Sequence, residues 1–418
     1  MLRFTTRWIS FILVFCLLTA VASAHANLLT MSPGSGEIVN KNPDRITLTF
    51  SEPLELEAVE LKVKDWKGHP IPLSDLKLTP GNTKQISAAL PDLPEGTYTV
   101  HWSVLSEDGH PVTDSYSFSI GKETPVDQLP TKDASGGLSD SLIIILRYLV
   151  EGILLLGGGL YWISLLAEKR GFSGWEQILK RGSGMGLGTL AIGTIALWFC
   201  YTASLPESFF SSIFQKGNWS LLSQIPFVGM LAVHSLLLLL LAVPQMGASW
   251  YLLIWALLIG SLAFGGHAWG IEPRWLSLTS RMLHVFALAA WLGSLSYLGL
   301  ALYWEKHNKK QIDRLRLRPF FVRIAMASAG LTMISGIVMV TIQTGWEAVL
   351  GASLTWSVLL WLKIGLLLFM LILAFQHTLQ WKRDGQAVSQ ALLRWEWIAG
   401  ILAVLAGIWM SQSNYPIP

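Results

Sequence analysis

Two histidines and one aspartate in the N-terminal quarter of the chain could form a metal site. Removal of residues 1–24 would leave His25 as the first residue, offering its α-amine and its ring nitrogen to one ion. Asp108 and His110, separated by one glycine, add a carboxylate and a second imidazole. Such nitrogen and oxygen ligands suit tetragonal copper(II). The spacing alone equally allows a frayed terminus at His25 and an ordinary Asx turn at Asp108.

Apolar stretches in the rest of the chain contain ionisable residues, which are costly inside a membrane and are therefore functional candidates. They are Arg147, Glu151, His234, His267, His284 and Lys363. His234 and Met230 lie four residues apart, on one face of a helix, and an imidazole with a thioether can hold copper(I) or copper(II). Together with His267, Met282 and His284 they define a candidate copper path. The alternative is that each histidine bonds across helices as part of the packing.

The other charged and sulfur-containing side chains of these stretches have simpler interpretations. Arg147 and Glu151 are four residues apart, which predicts a structural ion pair on one helix. Lys363 could be neutralised by a carboxylate such as Glu151. The remaining methionines of note are predicted to face lipid or to fill the core: Met333, Met339 and Met410.

The composition predicts a membrane protein with an N-terminal signal peptide. Of the 418 residues, 52% are hydrophobic and 14% are charged, and the mean hydropathy is +0.48. Two arginines precede the apolar stretch from Ile9 to Val21, and Ala22-Ser23-Ala24 follows it, an order that predicts cleavage after Ala24. Cys16 and Cys200 both lie in apolar stretches, which excludes a disulfide framework or a thiolate site in the outer domain. The net charge of +3 gives no support for a nucleic-acid partner.

Residues 25–121 show the alternation of polar and apolar residues that is typical of half-buried β-strands. Four stretches show it most clearly: residues 46–50, 59–63, 98–104 and 116–120. Glycine- and proline-containing breakers separate them, at the spacing of a small antiparallel sandwich or barrel. Residues 122–141 lack such periodicity and are predicted to form a linker. The first part of the fold is therefore predicted to be an all-β domain, which the signal peptide places outside the cell.

Residues 142–418 contain eight apolar runs, each near the ~20 residues that a membrane-spanning helix needs. The runs cover residues 142–166, 183–203, 225–243, 250–269, 280–303, 320–343, 355–378 and 394–411. Lysine and arginine are concentrated in the loops after the first, fifth and seventh runs. By the positive-inside rule, this predicts an all-α bundle of eight transmembrane helices in the cell membrane, with the β-domain and the C-terminus on the extracytoplasmic side.

The outer domain resembles the CopC copper-binding domain. The matching segments are His25-Ala26-Asn27-Leu28-Leu29, Leu48-Thr49-Phe50-Ser51-Glu52-Pro53, Gly96-Thr97-Tyr98-Thr99-Val100 and Asp108-Gly109-His110-Pro111-Val112. Gly266-His267-Ala268 and the segment from Leu283 to Gly293 are similar to the CopD membrane domain, and the fused order resembles the YcnJ-type copper uptake proteins. The resemblance implies a cupredoxin-like, immunoglobulin-like Greek-key sandwich that holds one copper(II) ion through His25, Asp108 and His110.

Copper import is the expected function, and no enzymatic activity is expected. The β-domain would capture copper(II) and pass it to the membrane domain, with the linker keeping its effective concentration high. The expected partners are the copper ion, the lipid membrane and a copper-donating extracytoplasmic protein. One alternative is copper resistance by efflux or sequestration. Another is a b-type haem protein for electron transfer or metal reduction, in which His267 and His284 would ligate the haem.

Overall fold

The structure is a computed structural model that divides the chain into two compact units. It describes residues 28–51, 54, 56, 59–105, 111–125, 134–172, 176–205, 207–219, 225–266, 268–269, 271–308, 313–351, 355–384 and 389–411. One unit contains Met1–Ile143 and Phe199–Val228, and the other contains Ile144–Trp198 and Gly229–Pro418. The first holds the β-domain and the second holds most of the helices.

Among the described residues, nine strands form the β-domain. In chain order they are β1 (Leu28–Ser32), β2 (Ile38–Val39), β3 (Arg45–Phe50), β4 (Glu60–Asp65), β5 (Pro70–Ile71), β6 (Ser74–Thr79), β7 (Asn82–Ala89), β8 (Gly96–Leu105) and β9 (Pro111–Ile120). One sheet has the order β1-β3-β7-β6 and the other has the order β2-β9-β8-β4-β5. Within these sheets β2 and β9 run parallel, and the other pairs are antiparallel. The predicted β-sandwich is therefore confirmed, and its strands are antiparallel except for the β2–β9 pair.

The core of the sandwich forms because alternate residues of each strand turn to the same side. In β3, Ile46, Leu48 and Phe50 are completely buried, while the threonines between them are only half-buried. They join one cluster with side chains of the second sheet, including Val100 and Phe118. Each fully buried side chain of this size contributes roughly 1.5–3 kcal/mol, so the alternation seen in the sequence fixes which face of each strand turns inward.

The helices follow the predicted apolar runs closely. They are α1 (Ala134–Glu168), α2 (Glu176–Ser204), α3 (Glu207–Phe214), α4 (Pro226–Leu241), α5 (Ala248–Ser261), α6 (Arg274–Asn308), α7 (Arg314–Gln343), α8 (Trp346–Gly351), α9 (Thr355–Asp384) and α10 (Gln390–Met410). A short 3-10 turn, Leu262–Phe264, extends α5. Helix α1 begins at Ala134, inside the segment 122–141 that the sequence assigned to a linker.

In the part of the chain that the structure describes, six helices are long and apolar enough to cross a membrane: α1, α2, α6, α7, α9 and α10. The chain is therefore a membrane protein, and these helices are its candidate spans. The third and fourth predicted spans correspond to α4, with 16 residues, and α5, with 14. At 1.5 Å per residue these helices are about 24 and 21 Å long, shorter than the ~30 Å hydrocarbon core. Eight crossings thus remain a prediction.

Candidate functional site

The three ligands predicted for the β-domain, His25, Asp108 and His110, lie outside the described residues. The segments that flank them are described. Strand β1 begins at Leu28, shortly after His25, and residues 106–110 connect β8 with β9, where Leu105 is paired with Pro111.

The flanking segments lie at one end of the sandwich. Leu28 is paired with Phe50 across the first sheet. The ring of Phe50 packs edge-on against the ring of Trp102, with 5.1 Å between the ring centroids. Trp102 is three residues from the end of β8, about 10 Å along a strand. The start of β1 and the last residues of β8 therefore come to the same region of the domain.

His284 is a buried histidine of the membrane helices, with 7% of its surface exposed on α6. Its Nδ1 lies 3.1 Å from the carbonyl oxygen of Thr332 and 3.0 Å from Oγ of Ser335, both on α7. Because a carbonyl oxygen can only accept, the neutral ring carries its proton on Nδ1. The other nitrogen, Nε2, then has a free lone pair, and no described residue bonds to it. When Nδ1 of a histidine is held in this way, Nε2 is oriented as a metal ligand.

His284 lies on the wall of a partly open cavity of about 130 Å³. Other side chains of the wall are Glu151, Arg281, Met339, Lys363 and Met410, which belong to α1, α6, α7, α9 and α10. An engineered protein cavity of about 150 Å³ holds a benzene molecule. The cavity beside His284 therefore accommodates a metal ion.

The charges around the cavity are partly paired. Nε of Arg147 lies 2.6 Å from Oε1 of Glu151, and both side chains are buried, which confirms the predicted ion pair. Lys363 lies on the same cavity wall as Glu151, but among the described residues it forms no ion pair with it. Instead, the Lys363 amine lies against the backbone of α10, where a Cβ added at Gly407 would be 3.1 Å from Nζ.

His234 and Met230 on α4 are both buried, as their shared face predicts. The carbonyl of Leu258 approaches the His234 ring, but neither ring nitrogen completes a hydrogen bond with a described residue. Arg147 and Glu151 lie within electrostatic range of this ring. His234 is thus within electrostatic range of Glu151, which lines the cavity, and of its partner Arg147.

The remaining predicted path residues have different outcomes. His267 lies outside the described residues. Met282 does not line the cavity and packs near Gly260 of α5. Met339 and Met410, predicted to be filler, lie on the cavity wall, whereas Met333 is exposed as predicted. Within the described ranges no three His, Cys, Asp or Glu side chains converge, so a metal ion held there needs other donors.

Known proteins are similar both to the β-domain alone and to nearly the whole chain. The CopC domain family matches residues 28–121. The copper transport protein CutJ of Bacillus subtilis (strain 168) is 24% identical over 98% of this chain and 78% of its own length. Protein YobA of Escherichia coli (strain K12) is 37% identical over 26% of this chain and 89% of its own length. The crystal structure of CopC from Methylosinus trichosporium OB3b aligns with 25% of this chain and 99% of its own, at 27% identity and a TM-score of 0.22.

Proposed function

Because the chain belongs to the CopC family through its N-terminal domain, we propose that it captures copper(II) outside the cell and transports copper through its membrane domain. The role is that of a carrier, without a catalytic step. Similarity to a protein named as a copper transport protein extends over 98% of the chain, which supports transport by the two parts together.

The capture site consists of the α-amine and ring of His25, the Asp108 carboxylate and the His110 ring. These donors suit copper(II). Two contacts support their convergence: Leu28 pairs with Phe50, and Phe50 packs against Trp102 near the β8–β9 connection. The start of β1 and the end of β8, which flank these residues in the sequence, thus lie near each other, and this supports the proposed site.

The observation that carries transport is the state of His284. This ring is buried among membrane helices, its Nδ1 is bonded to α7, and its Nε2 is left without a described partner on a cavity wall. An unpartnered nitrogen in such a place is costly. A passing metal ion would satisfy it.

The direction that we propose is import, through eight transmembrane crossings with both chain ends on the extracytoplasmic side. In this topology the copper-capturing domain lies on the side from which copper enters, and the chain tethers it to the membrane domain. Tethering raises the effective copper concentration at the entrance without any new contact. An exporter would gain nothing from a capture site on the exit side.

The test is the copper content of copper-starved cells, measured by mass spectrometry. Strains would carry the intact gene, a deletion, His110→Ala or His284→Gln, at matched protein levels. The exposed His69 provides the control variant His69→Gln. At least twofold less copper in the deletion and in both site variants, with normal copper in the control, supports import. More copper in the deletion strain indicates resistance, and a Soret band in the purified protein indicates haem.

A further inference from the structure

We infer that the cavity beside His284 is a copper(I) site with one imidazole and two thioether ligands. The ligands are Nε2 of His284 and the sulfur atoms of Met339 and Met410. The inference rests on the proposed copper transport and adds the ligands and the oxidation state of the metal inside the membrane domain.

Helix α7 presents its part of the site on one face. Thr332, Ser335 and Met339 follow each other at intervals of three and four residues, so they lie along the same side of the helix. The first two bind Nδ1 of His284. Gly336, on the same face, lies beside the ring, since a Cβ there would be in ordinary van der Waals contact with Cε1, at 3.6 Å. The face that orients the imidazole therefore also brings Met339 to the cavity.

The third ligand comes from α10. Met410 is 8% exposed and lies on the cavity wall near the end of this helix. Methionine has three rotatable side-chain bonds, so two methionines can adjust to an ion between them. Thioethers are soft ligands that select copper(I), and a neutral imidazole binds it as well. The cavity thus supplies a soft, neutral ligand set.

The charges on the wall favour copper(I) over copper(II). Glu151 is already paired with Arg147, whereas Arg281 and Lys363 bring positive charge to the same wall. Coulomb repulsion grows with the charge of the ion, so a divalent ion is repelled twice as strongly as a monovalent one. Beside these cations a monovalent ion is therefore repelled less than a divalent one, which favours copper(I).

Copper(II) from the β-domain must gain one electron before it binds in this cavity. A small external thiol is the class of reductant that we assign. Two thiols reduce two copper(II) ions, form one disulfide and release two protons, which balances atoms and electrons.

The test uses the full-length protein in detergent with His110→Ala, which removes the capture site. Copper(I) is added without oxygen, in competition with a chromophoric copper(I) chelator. We expect one bound ion, and at least tenfold weaker binding with Met339→Leu, Met410→Leu or His284→Gln. Met333→Leu is the matched control, because Met333 is 46% exposed on the same helix.

X-ray absorption of the His110→Ala protein with bound copper(I) should show sulfur neighbours of the copper ion. Unchanged affinity in both cavity methionine variants, or a copper ion with only nitrogen and oxygen neighbours, would overturn the inference.

Lys363→Leu, which removes the charge without adding a copper ligand, provides a test of opposite sign. Removing a positive charge from the wall should strengthen copper(I) binding at least threefold, and weaker binding would contradict the charge argument.

The cellular and binding experiments together separate this inference from the proposed function. If cells import copper but the cavity binds none, only the inference fails. If the cavity binds copper(I) but cellular copper does not depend on the protein, the proposed function fails.

Discussion

The Arg147–Glu151 pair of α1 shows how a single buried charge can decide the stability of the membrane domain. Only 1% of the Arg147 side chain and 10% of the Glu151 side chain is exposed. Removing one partner of a buried pair leaves an uncompensated charge and costs about 3–5 kcal/mol, whereas replacing both by apolar groups is often neutral. We therefore expect Glu151→Leu to lower the apparent Tm in detergent strongly, and the double variant Arg147→Met/Glu151→Leu to recover most of the loss.

The control for this prediction lies on the same helix. Glu168 ends α1 and is exposed, so Glu168→Leu removes the same charge without leaving a buried partner and should barely change the Tm. A double variant that is less stable than Glu151→Leu alone would mean that Arg147 has a second role, independent of the carboxylate.

At the scale of helices, α1 and α6 cross in direct backbone contact. A Cβ added at Gly159 would overlap the carbonyl group of Ala289, and one added at Gly293 would overlap the backbone of Gly159. Small residues at such crossings allow close packing in membranes. We expect Gly159→Ala to push the helices apart and to cost about 1–3 kcal/mol or more, as overpacking does. The measurement is the yield and thermal stability of purified protein.

Gly152 of the same helix is the matched control, since a Cβ there meets nothing within 4 Å. Alanine is favoured over glycine in a helix by about 1 kcal/mol, so Gly152→Ala should leave the protein as stable as before or slightly more stable. Equal losses in both variants would show that the α1–α6 crossing is less tight than the structure indicates.

The elements differ in how well the sequence predicts them, for physical reasons. Strands such as β3 were predicted because their side chains alternate between core and surface, whereas β2 and β5, with two residues each, are too short to show a period. His284 could be identified because an ionisable group in an apolar helix is costly. Its partner Ser335 is 51 residues away, and Met339 and Met410 reach the cavity from two other helices. Only the packing of the helices reveals those relationships.

At the scale of the whole molecule, the open question is whether α4 and α5 cross the membrane. They are consecutive, so the sidedness of all other loops is the same whether both cross or neither does. The short connection between them is the one segment whose side would change: it lies inside in an eight-span protein and outside if α4 and α5 enter and leave from the outer face. Helices of about 24 and 21 Å can still cross where the bilayer thins locally.

A membrane-impermeant maleimide can decide the number of crossings. In a background without Cys16 and Cys200, single cysteines would be introduced by Met246→Cys in the α4–α5 connection, Lys169→Cys after α1 and Lys216→Cys after α3, where all three positions are exposed. With eight spans and an outer N-terminal domain, the reagent added to spheroplasts labels only the Lys216→Cys protein, and all three variants react after permeabilisation. Labelling of Met246→Cys from outside would show that α4 and α5 do not cross the membrane and that the bundle has six spans. Labelling of Lys169→Cys from outside would show that the topology is inverted. The β-domain would then lie on the cytoplasmic side, where it could not capture external copper.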